Sequence, residues 1–196
     1  MKKIVLFLSL ASVIFIAGCA KKPAQAATES VNAEQTTEQA DAQEANGAVV
    51  ASKSVVKTIP ANVHGEDILK AIKENYKGKV ALLDFWATWC PPCRQAMKSI
   101  DEIKPELEEK GCAFVYITGE TSPLNKWNEM IPGISGDHYR LTNAQWEELL
   151  DYLNVPGIPA YMLIGKDGKT AYDNLSQGGY PGSEILKNNI EVALTK

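Results

Sequence analysis

VALLDFWATWCPPC, residues 80–93, is the stretch on which the fold reading turns. Val80–Trp86 is almost continuously apolar, the pattern of a central parallel strand covered on both faces. By two-residue alternation Asp84, the one charge in the run, shares a face with Leu82 and Trp86. Ala87, Thr88 and Trp89 then lead into Cys90-Pro91-Pro92-Cys93. Two prolines break a helix interior, but at the first helical positions their missing N–H groups cost nothing. Cys90 therefore falls at the cap of a helix and Cys93 one turn later on the same face. A thiolate at a helix N-terminus faces the positive end of the backbone dipole, so Cys90 is expected to be an exposed thiol of lowered pKa that attacks disulfides. Cys93 lies within reach to resolve the mixed disulfide that results.

On these residues FWATWCPPC resembles the active site of the thioredoxin superfamily, and more narrowly of the membrane-anchored TlpA/ResA-type thiol-disulfide oxidoreductases. The resemblance covers roughly the last three quarters of the chain. It implies a thioredoxin-like, three-layer α/β/α fold with a central mixed sheet, a redox-active Cys90–Cys93 pair, and no cofactor or metal. It also implies that Pro159, in Val155-Pro156-Gly157-Ile158-Pro159, is the cis-proline that faces the CxxC, with the Ile158 backbone pairing with an extended substrate segment. An ordinary trans turn proline is the bland alternative. Trp89, Pro91, Pro92, Ile158 and Pro159 are the residues expected to meet substrate.

The rest of the domain, taken as residues 49–196, follows the same plan. Val49–Ile59 supplies an edge strand, and Asp67–Tyr76 has helical spacing at Ile68, Leu69, Ile72 and Tyr76 before Gly78 stops it. His64 reads as a capping or surface residue. The helix from Cys90 packs through Met97, Ile100, Ile103 and Leu107, breaks or kinks at Pro105 and ends at Gly111. Cys112–Thr118 is the next buried strand, reached by a right-handed crossover. Cys112 is either a third redox thiol or an inert small hydrophobe. Residues 119–142 are longer than a minimal thioredoxin needs: a short helix from Ser122-Pro123 with Trp127 and Met130, then a polar loop from Pro132-Gly133 holding His138 and Tyr139. This insertion is expected to be either a specificity element or surface decoration. Asn143 caps a helix with Trp146, Leu149, Leu150 and Leu153; Ala160–Ile164 and Thr170–Tyr172 form a hairpin around Lys166-Asp167-Gly168-Lys169; Ser183 caps the last helix. The expected order is β-α-β-α-β-α-β-β-α.

Upstream, Lys2 and Lys3 precede the apolar run Ile4–Ala17, too short for a comfortable membrane span and suited to a signal peptide over residues 1–18. The ending Ile16-Ala17-Gly18-Cys19 resembles a bacterial lipobox, which makes Cys19 a lipidation site and puts the domain in the bacterial cell envelope, facing the periplasm or exterior, where disulfides persist. Residues 20–48 are rich in Ala, Glu, Gln and Thr and lack aromatics, so they are expected to be a flexible, disordered tether with a root-mean-square reach of roughly 30 Å. With 20 Lys and Arg against 24 Asp and Glu, no basic excess suggests a nucleic-acid partner.

A CxxC pair can reduce, oxidise or isomerise. Strong oxidants such as DsbA hold a thiolate of pKa about 3.5 and a potential of about −120 mV. Pro91 and Pro92 offer the Cys90 sulfur neither N–H nor cation, so Cys90 should sit nearer thioredoxin's values of about 7 and about −270 mV, which favours a reductant. By resemblance, Asp84 occupies the place of the buried acid behind the second cysteine. Desolvation raises its pKa, and it is expected to accept the Cys93 proton, directly or through water, unless its role is structural only. The partners implied are disulfide-bonded exported proteins and a membrane-embedded thiol electron donor, with the lipid anchor on the membrane; cytochrome c-type biogenesis is one family role. The rivals are a dithiol oxidase, a peroxidase, which the Ala87 at the Thr-x-x-Cys position opposes, and a redox-silent peptide-binding module. A zinc site lacks a second ligand pair at suitable spacing.

Overall fold

The computed structural model describes residues 53–196. The expected leader, Cys19 and the tether lie outside the described residues, as do positions 49–52 of the expected edge strand. Among the described residues no helix is long and apolar enough to cross a membrane.

Thirteen elements follow one another: β1 (Ser54–Lys57), α1 (Glu66–Glu74), β2 (Val80–Phe85), α2 (Pro91–Asp101), α3 (Lys104–Glu109), β3 (Cys112–Gly119), α4 (Leu124–Met130), a 3₁₀ turn (Ile131–Gly133), β4 (Gly136–Leu141), α5 (Asn143–Tyr152), β5 (Ala160–Ile164), β6 (Thr170–Asp173) and α6 (Ser183–Thr195). The six strands form one mixed sheet in the order β1-β4-β3-β2-β5-β6. β1 to β4 run parallel to one another, whereas β5 is antiparallel to both β2 and β6. Every residue of β2 is buried, which explains the unbroken apolar run in its sequence.

Helices cover both faces. On one, Met97 and Ile100 of α2, Leu107 of α3, Trp127 of α4 and Leu186 and Ile190 of α6 pack on Val80, Leu82 and Trp86. On the other, Ile68 and Ile72 of α1 and Trp146 and Leu149 of α5 pack on Ala81, Leu83 and Phe85. The architecture is a thioredoxin-like three-layer α/β/α sandwich. Trp146 lies so close to the end of β3 that a Cβ on Gly119 would stand 2.5 Å from its Cγ, so a side chain there would displace α5.

Three expectations need correction. The polar loop after Pro132-Gly133 is instead strand β4, an interior strand between β1 and β3. Its Asp137 and Arg140 disguise it, but His138 stacks on Tyr116 in one core while Tyr139 enters the other. Gly136 opens this strand at φ 121°, and a Cβ there would stand 2.6 Å from the Phe114 carbonyl oxygen. Residues 124–141 are therefore part of the sheet and its cover, which removes the surface-decoration reading. Second, Thr142 rather than Asn143 caps α5, through a capping box in which its side chain accepts from Gln145 N and Gln145 Oε1 accepts from Thr142 N. Third, Gly182 rather than Ser183 stands at the cap of α6; the Ser183 hydroxyl donates instead to the Ser99 carbonyl of α2. The helix from Cys90 breaks near Pro105 as expected, into α2 and α3, with Pro105 in the first turn of α3. His64 is a surface residue whose Nδ1 lies 3.1 Å from Glu148, the carboxylate that also accepts from Gly65 N at the start of α1.

Candidate active site

The parallel strand β2 delivers Trp86–Trp89 to its carboxyl end, where Cys90 caps α2. Pro91 and Pro92 occupy the first two helical positions, so neither lacks a bond it would otherwise make. Cys90 and Cys93 are joined as a disulfide with Cα atoms 5.3 Å apart. The Cys93 N–H donates to Cys90 Sγ at 3.2 Å, and it is the one backbone donor the two prolines leave for that sulfur. Ile158 O lies 3.9 Å from Cys90 Sγ.

Cys93 is fully buried, as expected of a resolving thiol. Cys90 differs from expectation: in the disulfide it keeps only 3 % of its surface, covered by its bond to Cys93 and by the Ile158 carbonyl. Trp89 beside it remains 57 % exposed, the largest apolar surface next to the motif.

The Ile158–Pro159 peptide bond is cis. The following turn braces it, for Gly179 N donates to Pro159 O at 2.7 Å and Asn174 ties Tyr161 N to Gly179 O through its side-chain amide. Among the described residues the Ile158 N–H has no backbone acceptor. The structure thus brings Cys90, Cys93, Ile158 and Pro159 together at one end of the sheet, flanked by Trp89, Pro91 and Pro92.

Beneath them lies a row of side chains running across the sheet. Asp84 pairs in register with Tyr161 of β5 on one side and Tyr116 of β3 on the other, and Tyr116 pairs with His138 of β4. Asp84 is 2 % exposed, and neither carboxylate oxygen has a hydrogen-bond partner. Burial raises its pKa well above the usual carboxylate range, opposed only by the charge of Lys104. Lys104, equally buried, donates to the Tyr116 hydroxyl at 2.9 Å and to the Ser135 carbonyl. Burial lowers its pKa, against the pull of Asp101, Glu108 and Asp84.

Reading the sequence did not find Lys104, Tyr116 or Ser122. Ser122 is buried and accepts from Thr88 N at 3.0 Å while its hydroxyl pairs with Thr118 Oγ1 at 2.7 Å, so it pins the loop before Cys90 to the end of β3. A lysine between Ile103 and Pro105 inside an apolar helical face was the one available sign for Lys104; nothing local marked Ser122. Cys112 is buried and unpaired, and burial pushes its thiol up to about 12, which favours the inert reading.

Residues 78–170 match the family model described as thioredoxin-like. The fold and the paired cysteines thus define a thioredoxin-like domain. Among curated proteins the chain is similar to the thiol-disulfide oxidoreductase ResA of Bacillus anthracis, 28% identical over 96 residues, or 49% of this chain and 54% of that protein. The chain therefore spans about half the length of the curated relatives it matches. Among solved structures it is similar to a thioredoxin-family thiol:disulfide interchange protein of Chlorobium tepidum, with TM-score 0.50 and 26% identity over 62% of this chain and 84% of that one. The thioredoxin domain of a Bacteroides vulgatus thiol-disulfide oxidoreductase shares the fold, with TM-score 0.54 and 20% identity over 62% of this chain and 83% of that one.

Proposed function

We propose that the protein is an extracytoplasmic thiol-disulfide oxidoreductase that reduces disulfides of exported proteins. The observation that carries this reading is the Cys90–Cys93 pair closed across the first turn of α2, directly under the cis-proline loop. In the reduced enzyme the Cys90 thiolate attacks one sulfur of a partner disulfide, which forms the Cys90–partner bond and releases the other partner sulfur as thiolate. The partner backbone pairs with the free Ile158 N–H in the manner of an added strand. Cys93 then gives up its proton and attacks Cys90 Sγ, which releases the second partner sulfur as thiolate and leaves Cys90–Cys93 oxidised. Asp84, desolvated and without a hydrogen bond, is the group that takes this proton. A membrane-embedded thiol donor returns two electrons and resets the pair. Residues 1–18 serve as a lipoprotein signal peptide, Cys19 as the lipid anchor and residues 20–48 as the tether that keeps the domain near its membrane.

Catalysed reduction of insulin with dithiothreitol as electron source tests the proposal. The protein should accelerate precipitation of the insulin B chain, and Cys90→Ser should return the rate to the uncatalysed background. A wild-type protein no faster than background would leave a redox-silent binding module as the better reading.

A further inference from the structure

A groove of about 510 Å³ runs along the outer flank of α2, beginning at Pro91, the residue after Cys90. Met97 of α2 and Met130 and Ile134 from the α4–β4 segment line it with apolar surface, and Arg94 and Lys98 stand at its edge. Met97 is almost fully buried, whereas Met130 and Ile134 are half-buried and form an accessible wall. No ion pair among the described residues involves Arg94 or Lys98. Asp101, the one carboxylate in the lining, faces the buried Lys104 Nζ at 4.0 Å. An acidic chain, of net charge −4, thus offers two unpaired cations beside its redox motif.

We propose that this groove selects the partner polypeptide: it takes an apolar side chain close to the target cysteine, with an acidic residue next to it meeting Arg94 and Lys98. The proposal rests on the thiol-disulfide exchange reading and names the chemistry of its substrate. Two features fix the occupant. Pro91, the residue after Cys90, lines the groove, so its occupant lies beside the CxxC. Its edge is cationic and its wall is built from thioether and branched aliphatic side chains, which suit a leucine-sized group and adapt to its shape. The α4–β4 segment, absent from a minimal thioredoxin plan, supplies one whole wall and so confers a selectivity the bare fold lacks.

The test uses three synthetic peptides, each with one cysteine capped as a mixed disulfide with thionitrobenzoate and differing only beside that cysteine: Leu with Glu, Gly with Glu, and Leu with Lys. Attack by reduced Cys90 forms the Cys90–peptide disulfide and releases thionitrobenzoate, whose colour gives the rate. The Leu-Glu peptide should react fastest. Loss of the leucine side chain should cost about three- to tenfold, as partial burial of an apolar group implies. Exchange of Glu for Lys should cost about three- to tenfold, the size of rim charge effects, and this preference should fade at roughly 0.5 M salt. The double variant Arg94→Glu, Lys98→Glu, at exposed helix positions, should invert the order of the Glu and Lys peptides while leucine still outruns glycine. Equal rates for the three peptides in the wild type overturn the groove and leave exchange standing. Selection by charge alone, or an order unchanged in the double variant, also overturns it. Failure to react with any peptide overturns the exchange reading itself.

Discussion

Cys93→Ser should hold partner proteins on Cys90 as mixed disulfides that survive non-reducing electrophoresis. Turnover should fall to background. The reason is geometric. Cys93 lies one helical turn from Cys90, Cα to Cα 5.3 Å, and its N–H already points at Cys90 Sγ. Well-oriented neighbours of this kind act at effective concentrations of roughly 10⁵ M or more, far above any external thiol. Removing that sulfur leaves the adduct to wait for a solution thiol that must approach under the Ile158 carbonyl. Both sulfurs are covered in the disulfide, so position decides which cysteine carries the adduct: Cys90 caps α2, where the Cys93 N–H and the helix dipole favour its thiolate. Cys90→Ser should therefore give no adducts. A Cys93→Ser protein that captures nothing in the cell would contradict the proposed order of steps.

Asp84→Asn should slow resolution by roughly 10²-fold at pH 7, the ordinary size of a lost general base. Its effect on stability should have the opposite sign. Burial raises the folded-state pKa of Asp84 above its unfolded value, so below about pH 4 the carboxyl is protonated in both states and carries no penalty. As pH rises toward the folded pKa, the unfolded chain loses its proton first and stability falls. Asparagine does not titrate. The variant should thus gain stability over wild type between pH 4 and pH 8, by about 1.4 kcal/mol for each unit by which burial raises the Asp84 pKa within that range, and the gain should vanish on acidification. Denaturant melts at pH 8 and pH 4, set beside single-turnover rates over pH 6–9, check both halves. A variant equal to wild type in rate across that range would remove Asp84 from the proton transfer.

The parts legible in the sequence are those whose chemistry is local. Continuous burial wrote β2 as an apolar run, two prolines fixed where α2 starts, and Gly-Ile-Pro before a strand marked the loop facing the disulfide. What stayed hidden depends on neighbours far along the chain. β4 carries charged residues on either side of His138 and Tyr139; Asp137 accepts from Tyr76 and His138 stacks on Tyr116, contacts that no window around Gly136–Leu141 contains. Lys104 opens α3 and becomes part of the core only when Tyr116 and Ser135 offer it oxygen partners. The covered state of Cys90 follows from the Ile158 carbonyl, 68 residues away in sequence. The α6 cap moved by one residue because the Ser183 hydroxyl is taken by the distant Ser99 carbonyl, whereas the Thr142–Gln145 capping box is local and its Thr-x-x-Gln spacing could have been read.

The pH dependence of Cys90 alkylation in the reduced protein, followed with iodoacetamide and mass-resolved at each cysteine, tests the central assignment most directly. A helix-terminal thiolate that receives the Cys93 N–H and nothing from its two prolines should react with a midpoint near pH 7, while Cys112 stays unmodified throughout. A midpoint near about pH 8.5, that of free cysteine, would contradict it.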